Sequence, residues 1–170
     1  MTQPPVPTPR STRPARPARS ATARTHHGND EDVRYLLEAR AALFPIMAAS
    51  RAAATHGSSP HVRSLARLAL AEQGDQLAAI TACLTAWGHE DLAPPTPTIA
   101  EVLEGLRGRE LDHAFAVVLT DHAHDSLVRA RIEMVAGASP VARPIAEAAI
   151  HKQDRRLAAL ERLARTLDLP

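Results

Sequence analysis

Gly57-Ser58-Ser59-Pro60-His61-Val62-Arg63-Ser64-Leu65-Ala66 recurs 80 residues later as Gly137-Ala138-Ser139-Pro140-Val141-Ala142-Arg143-Pro144-Ile145-Ala146. In each copy a glycine follows a helix-like run, a serine stands ready to cap the next one, and a proline follows where a first helical turn tolerates it. The same spacing relates Arg51 to Arg131, Gln73 to Gln153, Leu77 to Leu157 and, conservatively, Tyr35 to Phe115. Matches of Ala66 with Ala146 and Ala69 with Ala149 carry less weight, because alanine-rich helices coincide by chance. The turn and the glutamine do not. Two helical hairpins, neither able to bury its apolar stripe alone, pair into one four-helix bundle.

Working outward, helix signals fill most of the chain. Asn29 offers an N-cap, and Asp30, Glu31 and Asp32 stand in a first turn where the helix dipole favours acids. The run continues to about His56, with Pro45 inside it predicting a kink. Val33, Leu36, Leu37, Phe44, Met47 and Ala48 form one apolar stripe. Tyr35, Ala39, Leu43, Ile46 and Ala53 form a second. A two-sided helix needs two partners, so the second stripe predicts cover from a short helix at 98–107 or from a second copy of the chain, a homodimer through helix one. The next helix opens at Ser59-Pro60, carries Leu65, Ala66, Ala69, Leu70, Leu77 and Ile80 on one side, and ends near Trp87-Gly88. Ala93-Pro94-Pro95-Thr96-Pro97 forms a linker no helix crosses. Thr98-Ile99-Ala100-Glu101 is a capping box for the short helix. A third long helix is expected from about Glu110 to Ala136, and a fourth from Ser139-Pro140 to about Leu167. Gly57 is expected to provide a left-handed cap and Gly137 to end its helix.

Composition agrees with an all-α chain. Of 170 residues 45% are apolar but only 2% aromatic, so Leu, Ala, Val and Ile must fill the core. No strand signal and no glycine-rich phosphate loop is present. A single cysteine, Cys83, excludes an internal disulfide and a cysteine-based zinc site in the monomer, and reads as a buried inert thiol. No apolar run reaches the ~18 residues of a membrane span, and no apolar secretory segment opens the chain, so no membrane association and a cytoplasmic location are expected.

Residues 1–28 differ from the rest. They hold six prolines, five arginines (Arg10, Arg13, Arg16, Arg19 and Arg24) and no acid, while the whole chain carries only +1. With almost nothing apolar to bury, this arm is expected to be disordered and partly polyproline II. It serves either as a contact for an anionic partner such as nucleic acid or as a solubilising tail. The organisation that follows is an arm at 1–28 and a bundle at 29–170. The bundle divides into repeat one at 30–88, linker and short helix at 89–109, and repeat two at 110–168.

From Gly57 through Ala66 with Gln73, Leu77 and Leu84-Thr85-Ala86-Trp87-Gly88, and again from Gly137 through Ala146 with Gln153 and Leu157, the chain resembles the ferritin-like "domain of unknown function 305" family. The resemblance spans residues 33–165. It implies a helical bundle, often exported, in which some members hold copper or other metals through a His-His pair and methionines. The pair's positions fall here on Ala42 and Leu43 and on His122 and Ala123. The downstream Glu and Met positions fall on Gln76 and Ile80 and on Arg156 and Leu160. One histidine of four remains.

Ligand-type side chains are densest at Asp121-His122-Ala123-His124-Asp125. Helical spacing puts His122 on the apolar stripe of Phe115, Val118 and Leu119, with Asp125 three residues on and able to reach the same site. His124 points the other way, near His113, toward water. Glu147 and His151 form another pair away from the core stripe of their helix. A metal, whether copper, zinc or iron, would need a third ligand from elsewhere, so His122 and Asp125 are the metal candidates and no cofactor is the default expectation. Asp154, Arg155, Arg156, Glu161, Arg162 and Arg165 read as a solvated face. No Ser/His/Asp set can be assembled, so the chain reads as noncatalytic.

A polar core is also expected. His122 lies 15 residues before Gly137 and Gln153 lies 16 after it. Both therefore sit roughly 22–24 Å from the turn in an antiparallel hairpin. The expectation is that His122 hydrogen-bonds Gln153 or Asp125, with Gln73 close enough to join. Two functions follow from all this. One is an interaction or scaffold module; the other is a metal-binding protein with a reduced site around His122.

Overall fold

The computed structural model describes residues 28–89, 103 and 105–167. Four helices make up the fold: α1 (Asp30–His56), α2 (Pro60–Ala86), α3 (Gly108–Ala136) and α4 (Ala142–Leu167). The chain is an all-α antiparallel four-helix bundle. α1 packs along both α2 and α3, and α4 closes the bundle against α3 and α2. Residues 90–102, where most of the short helix and its capping box are expected, lie outside the described residues. Leu103 is buried and Leu106 packs against the core.

Local chemistry sets the helix ends. Asn29 accepts from the N–H of Asp32 while the Asp32 carboxylate accepts from the N–H of Asn29, a reciprocal capping box. Ser59 caps α2, with Pro60 in its first turn. In the second repeat the match is looser. Ser139 Oγ accepts from the N–H of Val141 and of Ala142, so Pro140 stays in the turn and α4 begins at Ala142. α1 continues through Pro45 from Asp30 to His56.

Leu36, Leu43, Ile46, Val62, Ile80, Leu84, Leu111, Phe115 and Leu119 form the fully buried centre. Buried alanines on every helix surround them, which suits close approach of backbones in a chain short of aromatics. Cys83 is a free, buried thiol.

Two expectations are corrected. The stripe of Tyr35, Ala39, Leu43, Ile46 and Ala53 is the core face of α1, and Val33, Leu37, Phe44, Met47 and Ala48 are only half-buried. Because α1 has α2 on one side and α3 on the other, its second stripe is covered within one chain and asks for no second copy. The glycines that end α1 and α3 are not left-handed either: Gly57 has φ −64° and Gly137 φ −72°, both extended. Positive φ falls instead on Gly28, Gly88, Gly105 and Gly108, of which Gly88, at φ 81°, lies just past α2.

Candidate functional site

Gly57 and Gly137 are required by space. A β-carbon on Gly57 would lie 2.6 Å from Asp112 Oδ1 and 2.7 Å from the Ala53 carbonyl oxygen. One on Gly137 would lie 2.6 Å from the Glu133 carbonyl oxygen and run into its carboxyl group. Acids crowd both turns because they serve the backbone there. Asp112, near the start of α3, accepts from Ser58 N–H at 3.1 Å, Ser58 Oγ at 2.5 Å and Ser59 N–H at 2.8 Å. Asp32, near the start of α1, accepts from Ala138 N–H at 3.1 Å and Ser139 N–H at 2.8 Å. Each hairpin's turn is thus closed by an aspartate of the other hairpin. The sequence held the signal, because Asp32 and Asp112 are identical residues at the repeat spacing of 80. First-turn acids have a sufficient local explanation in the helix dipole, which hides a long-range one.

The two clasps differ at Ser58, whose hydroxyl has no counterpart in Ala138, and in the residue that stands beside the aspartate. Glu133 of α3, fully buried, stands beside Asp32. The residue in its place in repeat one is Ala53. Burial pushes Asp32 up, but the N–H of Asn29, the Glu133 carboxyl and the N–H groups of Ser139 and Ala138 outweigh it and leave its pKa below the ordinary carboxylate value. Glu133 is pushed up to about 8 by burial and by Asp32, with Arg143 opposing. Burial also pushes up the Tyr35 hydroxyl, which finds no hydrogen-bond partner, and the Cys83 thiol.

The residues expected to share a polar core do not bond one another. Gln73 and Gln153 are both buried. Ser50 Oγ donates to Gln73 Oε1 at 3.1 Å, and Gln153 Nε2 donates to Ser126 Oγ at 3.3 Å. Arg156 supplies what His122 was expected to supply. Its Nη1 donates to Gln153 Oε1 at 2.8 Å and its Nη2 to Glu72 Oε2 at 2.5 Å. Arg156 is therefore a core residue and not part of the solvated face of α4, because it follows Gln153 by three residues on the inner stripe and Glu72 of α2 meets its charge. The rest of that face (Asp154, Arg155, Glu161, Arg162, Arg165) is exposed.

His122 bonds neither Gln153 nor Asp125. Its Nε2 is buried without a hydrogen-bond partner, and Asp125 is exposed. Burial, with Arg156 and Arg129 nearby, pushes its pKa down to about 3, so the imidazole is neutral. These neighbours do not fit a metal. Two arginines repel a cation, and the nearest carboxylate along the helix faces water. Among the described residues, no three His, Cys, Asp or Glu side chains are placed to hold a metal ion. Glu147 and His151 are both exposed.

Outside the core, His113, Thr120, Asp121, His124 and Glu161 edge a groove of about 400 Å³ between α3 and α4, floored by Ala116, Leu157 and Leu160. Farther along α3, Val128, Ile132 and Val135 are exposed, with Val141 beyond the turn. Arg10, Arg13, Arg16, Arg19 and Arg24 lie outside the described residues. Gly28, counted with the arm by composition, already sits over Asp32 and Ser139. Among the described residues, no helix is long and apolar enough to cross a membrane.

No protein-family profile and no curated protein matches this sequence. Among solved structures, the chain is similar to a Streptomyces coelicolor protein described as secreted and as a domain of unknown function 305. The two are 14% identical, the match covers 81% of this chain and 94% of that one, and the TM-score is 0.72. At that identity the likeness is one of fold, and the fold agrees with the resemblance carried by the two Gly-x-Ser-Pro turns: this chain has the helical fold of the domain of unknown function 305.

Proposed function

We propose that the chain is a noncatalytic helical scaffold that acts by binding other molecules on its outer surface. The supporting observation is the outer face of α3. Val128, Ile132 and Val135 follow one another at helical spacing, and Val135 is 89% exposed. An aligned apolar face left to water is a common mark of a docking surface. Inside the bundle, by contrast, Asp32, Asp112, Gln73, Gln153 and Arg156 are engaged in joining helices. The arginines of residues 1–28 add, in this reading, a second contact for an anionic partner, on charge alone.

The test is cross-linking of the full chain in extracts of its source cells, with peptides identified by mass spectrometry. Partner peptides joined to α3 are expected, and they should vanish in an Ile132→Glu/Val135→Glu variant that keeps its helicity and melting temperature. The same cross-links surviving in that variant would overturn the assignment of the face. Equilibrium dialysis against copper, zinc and iron tests the competing metal reading. No stoichiometric retention is expected, and one equivalent held by the wild type but lost in His122→Ala would replace the scaffold reading with metal handling. A cytosolic location, expected from the sequence, stands against the export described for the Streptomyces protein, and fractionation of source cells decides between them.

A further inference from the structure

Three acids, Asp32, Asp112 and Glu133, are buried among the described residues. Asp32 and Asp112 receive backbone N–H donors, whereas neither oxygen of Glu133 has a donor in reach. Glu133 is 0% exposed, pressed under Gly137 and beside the Asp32 carboxylate. Two ionised carboxylates in that position would repel each other, and Glu133 would keep a buried, unsatisfied charge. One arrangement satisfies both groups: Glu133 carries a proton and donates it to Asp32, which still accepts the turn's N–H groups.

We propose that Asp32 and Glu133 form a proton-operated latch, in which protonated Glu133 holds the start of α1 to the α3–α4 turn and loss of that proton loosens the junction. The junction is also where residues 1–27 join the bundle. Asn29, the first capping residue, donates its side-chain N–H to the Ala136 carbonyl at 2.8 Å and its backbone N–H to Asp32. Loosening the latch therefore frees the root of the basic segment from the rest of the fold.

The surrounding charges favour the protonated form. From α1, Asp32 and Glu31 raise the Glu133 pKa, and Tyr35 lies within range of its charge. From α4, Arg143 opposes them, its Nη2 donating to the Met134 carbonyl at 3.1 Å. Arg129 of α3 also acts on Tyr35, and Cys83 of α2 senses Asp32. Burial and these neighbours together put the transition of Glu133 at about 8, so the latch works on the alkaline side of neutrality.

The fold contains its own control. The other clasp, Asp112 on Ser58 and Ser59, has Ala53 in the place of Glu133. The experiment follows solvent exchange of the amides of Ala138 and Ser139 in the full chain between pH 6 and pH 9, as protection factors relative to those of Ser58 and Ser59. In the wild type this ratio should fall about tenfold by pH 9, since one pH unit above the transition ionises roughly ten molecules for each one left protonated. In Glu133→Gln, whose neutral amide donates at every pH, the ratio should stay flat. A flat wild-type ratio, or an equal fall in the glutamine variant, would overturn the latch. A direct carbon-13 titration of the Glu133 carboxyl in the wild type decides the matter should the variant fold poorly. A midpoint above pH 7 is expected, and one between 4 and 5 would overturn the proposal.

Discussion

Asp32 and Asp112 occupy equivalent places in the two halves of the chain, and each closes the turn of the half to which it does not belong. The exchange interlocks the hairpins at both ends of the bundle. Without Asp112, the N–H groups of exposed Ser58 and half-buried Ser59 would lose their acceptor, at a cost of about 0.5–1.5 kcal/mol for each hydrogen bond. A separated hairpin thus lacks not only a cover for its apolar stripe but also the acceptor for its own turn.

The turn glycines respond to this crowding. Gly57→Ala is expected to destabilise the bundle by about 1–3 kcal/mol, because the new methyl group meets Asp112 Oδ1 and the rigid Ala53 carbonyl. Gly74, inside α2 with nothing within 4 Å of a β-carbon, gives the opposite result. There alanine should stabilise by about 0.5–1 kcal/mol through helix propensity alone. Urea denaturation of the two variants measures both signs.

Arg156 depends on Glu72. Arg156 is only 5% exposed, and Glu72 Oε2 lies 2.5 Å from its Nη2. Glu72→Gln should cost about 2–4 kcal/mol by leaving a nearly buried charge without its counter-ion, while Arg156→Met should cost less, since it removes that charge altogether. Thermal melts of the two variants would show the asymmetry, and equal losses would place Arg156 in a wetter setting than the structure gives it.

His122 makes the protein acid-sensitive. Its folded pKa, about 3, lies below the ordinary value near 6.5, so the unfolded chain binds the extra proton between those limits. Its contribution is complete above pH 6.5 and is lost as pH falls toward 3, at up to about 1.4 kcal/mol per pH unit. Glu133 acts in the reverse direction: its folded pKa is raised, so its contribution is complete below about pH 4.5 and is lost as pH rises toward 8. Denaturant midpoints at pH 4.5 and 6.5 should differ less in the wild type than in Glu133→Gln, where the His122 slope stands alone. In His122→Leu the slope over the same interval should change sign.

Much of the fold was legible because its signals are local and periodic. The Gly-x-Ser-Pro turns, the Asn29 cap and the helical stripes fix four helices and their pairing from spacing alone. The inner face of α1 was not legible in the same way. Tyr35-Ala39-Leu43-Ile46 and Val33-Leu37-Phe44-Ala48 both satisfy helical periodicity, and only the position of α3 decides which turns inward. The candidate site suffered more, since its partners are remote in sequence. Gln153 is buried and His122 half-buried, but nothing local says that Arg156, one residue of an evidently charged helix, reaches Glu72 and takes the glutamine's oxygen. Asp32 and Asp112 were overlooked for the same reason, as each already has a local role in its helix.

The exchanged aspartates can be removed one at a time. Amide hydrogen exchange is measured in Asp32→Ala and Asp112→Ala at Ser58, Ser59, Ala138 and Ser139, each relative to a core amide such as that of Leu119. Asp112→Ala is expected to expose the amides of Ser58 and Ser59 in the first hairpin and to leave those of Ala138 and Ser139 protected, and Asp32→Ala to do the reverse. Faster exchange at both turns alike, or at the turn of the mutated hairpin itself, would contradict this expectation.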